Sequence, residues 1–286
     1  MNTIYEDFDC NDRWLENLQE QVWLTEPIRL SSLLQIFVSR HICNGNILNF
    51  GEQIRDYIDN STINHSFQNC DLALTLITLK IMRLNNINCR NLEDFSDNIS
   101  QILQNNRDID HNEVCDLLLP RLLLHNLGKY PQLSPPLEKK LRIPEKSSLI
   151  NLPKNEVLSL TNRINSITVY GQRNPTENKD LLFSLQVWMI HAFRSYDLEL
   201  GASLLRTLKY CNLTATDSYI QGLNFLIAQN NPEGHFGYFA EESIKIQSKN
   251  PKFDCILDLY LPVTLTCLWT IAESNPKNSI ISRNKT

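Results

Sequence analysis

The sequence predicts an all-α protein, and three of its features lead to that prediction. Apolar residues recur every three or four positions in one segment after another, which places them on one face of a helix. The alternation of apolar and polar residues that marks β-strands is scarce. Glycine contributes only 8 of 286 residues. Counting the periodic segments gives about eleven helices.

The first half of the chain contains four of the clearest periodic segments after an opening helix. That opening helix is predicted from an apolar stripe, Trp14, Leu15, Leu18, Val22 and Trp23. A second helix begins near Pro27, because proline fits the first turn of a helix. Three more follow at 71–84, 92–103 and 114–124.

A proline-rich segment divides the helical pattern. Residues 128–155 hold five of the twelve prolines, among lysines and serines. Such a composition favours extended backbone and is typical of a connector. We therefore predict a single domain over 1–286, with this connector between two helical halves.

The second half contains helices at 157–167, 181–193 and 198–210. The segment 181–193 is apolar nearly all round, which predicts a helix buried on every side. The next helix is predicted to start with a capping box of Thr214 and Asp217, in which each side chain satisfies a backbone amide. Gly222 lies on that helix, and close packing against a neighbour explains a glycine there.

The stretch that ends this helix resembles a known repeat. Gly222, Phe225-Leu226, Gln229 and Gly234-x-Phe236 resemble one copy of the glutamine–tryptophan repeat of terpenoid cyclases, and protein prenyltransferases carry similar helix–loop units. Phe236 stands where the repeat has tryptophan, and the gap before Gln229 is one residue shorter. The resemblance implies antiparallel helix pairs in an α/α toroid, or part of one, around an aromatic-lined cavity. It also implies cyclisation or group transfer on a hydrophobic or carrier-borne metabolite.

The loop after this helix carries the main catalytic candidate, His235. Gly234 and Gly237 allow sharp turns on either side of it. An imidazole beside aromatic rings and carboxylates can act as a general acid or base, and Glu242 is the candidate that orients it. Phe236 and Tyr238 are the candidate substrate-binding rings of the loop.

Two aspartates are further catalytic candidates. Asp116 precedes Pro120 by four residues, as Asp258 precedes Pro262, and an apolar helix follows each proline. If the similarity of these two segments reflects a true internal repeat, both carboxylates face one central cavity. Trp188 and His191, on the apolar helix 181–193, are candidate substrate-binding residues that line such a cavity.

Composition excludes several other functions. The net charge is −5 and no basic block is present, which argues against nucleic acid as a partner. No apolar run reaches the ~18 residues of a membrane span, and the acidic N-terminus does not resemble a secretory signal, so we expect a cytoplasmic protein. The eight cysteines form no CxxC pair and indicate free thiols. We therefore expect no metal site and no cofactor.

The chain is short for a complete toroid, and this bears on its partners. We expect a hydrophobic small-molecule substrate, and a homodimer or a related small subunit that associates through an apolar face. The alternative is a non-catalytic helical-repeat scaffold that binds a protein or peptide. An enzyme keeps polar groups converging on an apolar cavity, whereas a scaffold fills its interior with leucine.

Overall fold

The structure, a computed structural model, describes residues 8–24, 28–60, 70–105, 118–131, 152–171, 178–238 and 254–274. Within these ranges the chain forms eleven α-helices and no β-strand, so the prediction of an all-α protein is confirmed. In chain order they are α1 Asp9–Trp23, α2 Leu30–Ile42, α3 Leu48–Asn60, α4 Leu72–Leu84, α5 Arg90–Asn105, α6 Leu118–Asn126, α7 Lys154–Ile167, α8 Lys179–Arg194, α9 Leu198–Tyr210, α10 Asp217–Ala228 and α11 Leu261–Ser274.

The chain divides into two compact units. Unit 1 comprises Met1–Ser96 with Gln229–Thr286, and unit 2 comprises Asp97–Ala228. Most of the predicted connector, 128–155, lies outside the described residues, so its role stays a prediction. The stretch that resembles a repeat crosses from unit 2 to unit 1 directly after α10.

Helix α2 is the centre of unit 1. It packs against α1, α3, α4 and α11, and its residues 32–34 and 36–40 are all buried. A helix enclosed by four others has no solvent side, which explains why its buried residues are not confined to one stripe and include Ser32, Ser39 and Arg40. Phe37 contacts Phe50 of α3 edge to face, with ring centroids 5.9 Å apart.

A buried arginine joins α1 to α2. Only 4% of the Arg40 side chain is exposed. Its Nε donates to Asp12 Oδ1 at 2.8 Å, and its Nη2 lies 3.2 Å from Glu16 Oε1. Its Nη1 donates to Gln19 Oε1 at 2.9 Å. All three partners lie on α1, so the ion pairs determine how this helix is placed on α2.

Polar side chains also begin several helices. Asp71 accepts from the Leu74 amide at 2.7 Å, and Asp197 accepts from the Leu200 amide at 3.1 Å, as N-cap residues do. The predicted capping box of Thr214 and Asp217 is wrong, because α10 starts at Asp217. The residue before it, Thr216, takes the cap position, and its Oγ1 accepts from the Tyr219 amide at 3.4 Å.

In unit 2, α8 packs against α9 and α10, and α9 packs against α7. Gly222 of α10 confirms the predicted close approach, because a Cβ there would lie 2.9 Å from Met189 Sδ. The prediction that α8 is buried on every side is wrong. Phe183 is 63% exposed and Ile190 is 41% exposed, since α9 and α10 cover only the opposite side of the helix.

One helical stretch in the described part of the chain is long and apolar enough to cross a membrane, Ile256–Ser274. More than half of it is buried inside the protein, where α11 packs against α2. A core helix meets the same criteria of length and composition, so this stretch is weak support for a membrane span.

Two oppositely charged residues are buried on α4 and α11. Lys80 and Glu273 are 6% and 2% exposed. Burial lowers the pKa of the Lys80 ammonium, and the Glu273 carboxylate opposes that shift. The Trp269 Nε1 donates to Glu273 Oε1 at 3.4 Å, which gives the carboxylate a further partner.

We expect Arg40→Met to destabilise unit 1 by about 1–3 kcal/mol, because it removes the charged hydrogen bonds of the buried guanidinium and leaves the half-buried Asp12 carboxylate without its cation. Chemical denaturation followed by circular dichroism measures the change. Arg55→Met is the control, because the ion pair of Arg55 with Asp56 is on the surface and its loss should barely alter the midpoint. Equal effects of the two substitutions would contradict the structural role of Arg40.

Lys80 predicts a pH dependence of stability. Its pKa is lower in the folded chain than in the unfolded chain, so between the two values the unfolded state binds more protons. The free energy of unfolding therefore rises with pH through that window, which ends near the ordinary lysine value of about 10.4. Below the window the charged ammonium is buried and its desolvation destabilises the fold in full.

The difference in unfolding free energy between the natural chain and Lys80→Met isolates this effect. Buried thiols lower the free energy of unfolding as the pH rises, because burial raises the pKa of Cys70 to about 11 and that of Cys89 to about 12. This effect is present in both proteins and cancels in the difference. We expect the difference to move in favour of the natural chain as the pH rises. A difference that is constant with pH would contradict the prediction.

Candidate functional site

The histidine loop, residues 230–238, follows α10 and is folded by two glycines. Gly234 has φ +98° and Gly237 has φ +93°, which confirms the predicted turns. The Gly234 amide donates to the Asn231 carbonyl at 2.8 Å, and the Asn231 amide donates to the His235 carbonyl at 2.9 Å. These bonds make a tight hairpin that carries His235 near its tip.

Paired amides fasten this loop to the start of α1. Asn11 Nδ2 donates to Asn230 Oδ1 at 2.9 Å, and Asn230 Nδ2 donates to Asn11 Oδ1 at 3.1 Å. Asn11 Nδ2 also donates to the Gly234 carbonyl at 2.8 Å. Asn11 is fully buried, so these bonds satisfy polar atoms that water cannot reach.

Phe236 anchors the other side of the loop. Its side chain is fully buried, and its backbone amide donates to Thr264 Oγ1 on α11 at 3.0 Å. The loop is therefore held between α1 and α11, two helices that both pack against α2. In this position Phe236 fills the core of unit 1, and its predicted contact with substrate stays a prediction.

His235 lies between two aromatic rings. Its ring centroid is 4.5 Å from that of Tyr260, which meets it edge to face, and 5.7 Å from that of Trp14. Only 12% of the side chain is exposed. The aromatic rings that contact His235 thus come from distant parts of the sequence, whereas the rings predicted beside it were those of the loop, Phe236 and Tyr238.

The two ring nitrogens of His235 have different environments. Nε2 is 3.3 Å from Glu233 Oε2, whose side chain is 79% exposed. Nδ1 is buried and has no hydrogen-bond partner within the described residues. Because a carboxylate accepts, Nε2 carries the hydrogen in the neutral ring, and Nδ1 keeps a lone pair. The described carboxylate beside His235 is thus Glu233, whereas Glu242 lies outside the described residues.

Asp258 has two structural partners. It lies 3.0 Å from Arg29 Nη1, and its Oδ2 accepts from the Asp254 amide at 2.8 Å. Asp254 in turn accepts from the Ile256 and Leu257 amides at 2.9 and 3.1 Å. The two aspartates together cap the start of a helix. The other member of the predicted pair, Asp116, lies outside the described residues.

A π-helical turn, Ile256–Tyr260, connects this cap to α11. The Leu261 amide donates to the Ile256 carbonyl, five residues back. Pro262 comes next, at the second position of α11, and has no amide hydrogen, so a wide turn before it avoids a clash with the preceding carbonyls. This turn presents Tyr260 to His235.

The remaining predicted binding residues are Tyr238 of the loop and two residues of unit 2. Tyr238 is 70% exposed at the end of the loop. Trp188 and His191 belong to unit 2, where their rings meet edge to face with centroids 5.9 Å apart. His191 lies on the exposed side of α8, so the structure places it on the surface of that unit.

Sequence reasoning missed Asn11, Trp14 and Tyr260 as neighbours of His235. One signal was present for Asn11. It precedes Leu15, Leu18 and Val22 by four, seven and eleven positions, which puts it on the buried face of α1. A polar residue in register with an apolar stripe needs a hydrogen-bond partner, and here the partner is the histidine loop.

No group of three or more histidine, cysteine or carboxylate side chains suited to a metal ion occurs among the described residues. Comparison of the chain with models of protein families, with curated proteins and with solved structures gives no match. The interpretation of this site therefore depends on its own geometry.

We expect Gly234→Ala to destabilise unit 1 by ~3 kcal/mol or more, from positive-φ strain and steric overlap together. A Cβ at Gly234 would lie 2.1 Å from the Cys10 carbonyl oxygen. Gly128→Ala is the matched control, since φ is +74° there and no atom lies within 4 Å of the new Cβ. That substitution should cost about 1 kcal/mol. Equal losses in thermal unfolding would show that the contact with α1 is unimportant.

Proposed function

We propose that the chain is an enzyme that uses His235 for proton transfer on an apolar small molecule. The observation that carries this proposal is the buried Nδ1 of His235, a lone pair without a partner among the described residues, between the rings of Trp14 and Tyr260. Buried polar atoms are nearly always hydrogen-bonded, so an unpaired nitrogen in a mostly enclosed imidazole needs an explanation, and a role in catalysis provides one.

Three neighbours prepare the imidazole for this role. Glu233 accepts from Nε2 and so fixes the tautomer in which Nδ1 is the base. The edges and faces of Trp14 and Tyr260 restrict the rotation of the ring. Aromatic faces also stabilise positive charge, as the cationic intermediates of cyclisation would require.

The finer fold that we propose is an α/α toroid or part of one. The paired amides of Asn11 and Asn230 support it, because they fasten a loop that follows one helix to the start of another. The glutamine–tryptophan repeat, which this stretch resembles, ties successive helical hairpins together in the same manner. Cyclisation or group transfer on a hydrophobic or carrier-borne metabolite is the reaction class that this architecture favours.

Incubation with a panel of prenyl diphosphates and polyprenyl alcohols, with products read by mass spectrometry, tests the proposal. His235→Gln should lower turnover by ~100-fold or more, the scale of a lost general acid or base. The thermal midpoint should stay within a few degrees of that of the natural chain. His125→Gln is the control, because His125 is an exposed histidine of unit 2 whose Nδ1 contacts the Tyr130 carbonyl.

Undiminished turnover in a folded His235→Gln protein would assign His235 a structural role. Replacement of Glu233 by Gln separates the two parts of the mechanism. It removes the charge that fixes the tautomer and keeps an acceptor, so we expect a smaller loss of turnover than at His235.

The second candidate function is a non-catalytic helical scaffold for a protein or peptide partner. Its support is the use of Asp258 as a helix cap and as a partner of Arg29, together with an interior filled by leucine and isoleucine. In a scaffold no member of the substrate panel is converted. Binding of a partner would then be unaffected by His235→Gln.

A further inference from the structure

An apolar stripe follows the solvent side of α8. We define the α8 outer face as Phe183, Val187 and Ile190, bounded by Asp180 near the start of the helix and Arg194 at its end. Phe183 is 63% exposed and Ile190 is 41% exposed, while Val187 is half-buried. The successive spacings are three, four, three and four residues, which is the pattern of a helix–helix seam.

This face is separate from the side of α8 that builds unit 2. Leu181, Leu185, Met189 and Ala192 are buried on the opposite side, where α8 packs against α9 and α10. Helical geometry places Phe183, Val187 and Ile190 within about 60° of one another around the axis. The apolar character on both sides explains why the sequence pattern is that of a helix buried all round.

The charges at the two ends of the face are opposite. Asp180 and Arg194 are both exposed, and they lie at equal distances, seven residues each, from Val187. A second copy of α8 laid antiparallel across the first, with the two-fold axis at Val187, therefore places each Asp180 opposite an Arg194. The same arrangement brings Phe183 of one copy next to Ile190 of the other.

We infer that the α8 outer face binds a second copy of this chain, as an antiparallel and two-fold symmetric helix pair. The symmetry makes the surface self-complementary, since both ion pairs and both Phe183–Ile190 contacts occur twice. A parallel pair would instead place Asp180 against Asp180 and Arg194 against Arg194, which like-charge repulsion disfavours. This inference does not depend on whether the chain is an enzyme or a scaffold.

The small size of the face limits the strength of the dimer. From Asp180 to Arg194 the helix rises about 21 Å, so a single helix from each copy gives an interface at the small end of specific protein contacts. We therefore expect a dimer whose population depends on protein concentration in the micromolar range.

Sedimentation velocity over a concentration series measures the association. Ile190→Glu places a charge in the middle of the seam and should convert the protein to a monomer while the helical circular dichroism spectrum is retained. Leu48→Glu is the matched control, because Leu48 is 52% exposed on α3 of unit 1. A monomer for the natural chain at ~100 µM, well above the expected range, would overturn the inference, as would an equal effect of both substitutions.

Charge exchange tests the antiparallel register. Asp180→Arg and Arg194→Asp each create two like-charge contacts in a homodimer, and each should weaken self-association ~10-fold. A mixture of the two variants pairs arginine with aspartate at both ends, so we expect a heterodimer of natural affinity. A mixture no stronger than either variant alone would overturn the proposed pairing.

Discussion

The Arg40 guanidinium is the interaction on which the arrangement of unit 1 depends. A charge with so little exposure is costly unless carboxylates and hydrogen bonds surround it. Asp12, Glu16 and Gln19 provide them, and all three are on α1. Because α2 is enclosed by four helices, Arg40 cannot reach water, and α1 must lie where its acidic face meets that arginine.

The position of α1 in turn determines the surroundings of His235. The first turns of this helix supply Asn11, which holds the histidine loop, and Trp14, which contacts the imidazole. The ion pairs of Arg40 on α2 thus affect, through the position of α1, a loop more than 200 residues away in the sequence. The candidate site is built from the beginning and the end of the chain, and unit 1 joins both ends.

The features that the sequence predicted well are local ones. Helical periodicity indicated the all-α fold, and the positive φ values at Gly234 and Gly237 follow from a short loop with glycines at two turns. The long-range features were not accessible in this way. Trp14 and Tyr260 contact His235 only through tertiary packing. The spacing of residues along one sequence does not show that segments so far apart come into contact. The capping role of Asp258 could not be told from a catalytic one in the sequence, because both place a carboxylate before an apolar helix.

Helix α8 shows a different limit of predicting burial from hydrophobic periodicity. Its continuous apolar character predicted burial on every side, but only the side with Leu185 and Met189 packs inside unit 2. Hydrophobic periodicity indicates that a helix face is shielded from water, but it does not indicate whether the same chain or another one covers that face. Phe183 and Ile190 are apolar but exposed, whereas Leu185 and Met189 of the same helix are apolar and buried. Residue type alone therefore does not show which side of α8 packs inside its own unit.

The π-helical turn before α11 determines how the residues on its two sides are oriented. Such a turn is equivalent to one residue inserted into an α-helix, and it rotates the preceding backbone by about 100° relative to the helix beyond it. Helix α11, which packs against α2, begins after the turn at Leu261. Removal of the extra residue would therefore rotate the buried Leu257, and Asp258 with its ion pair to Arg29, relative to α11. The extra residue thus determines both where a core side chain points and where a surface ion pair forms.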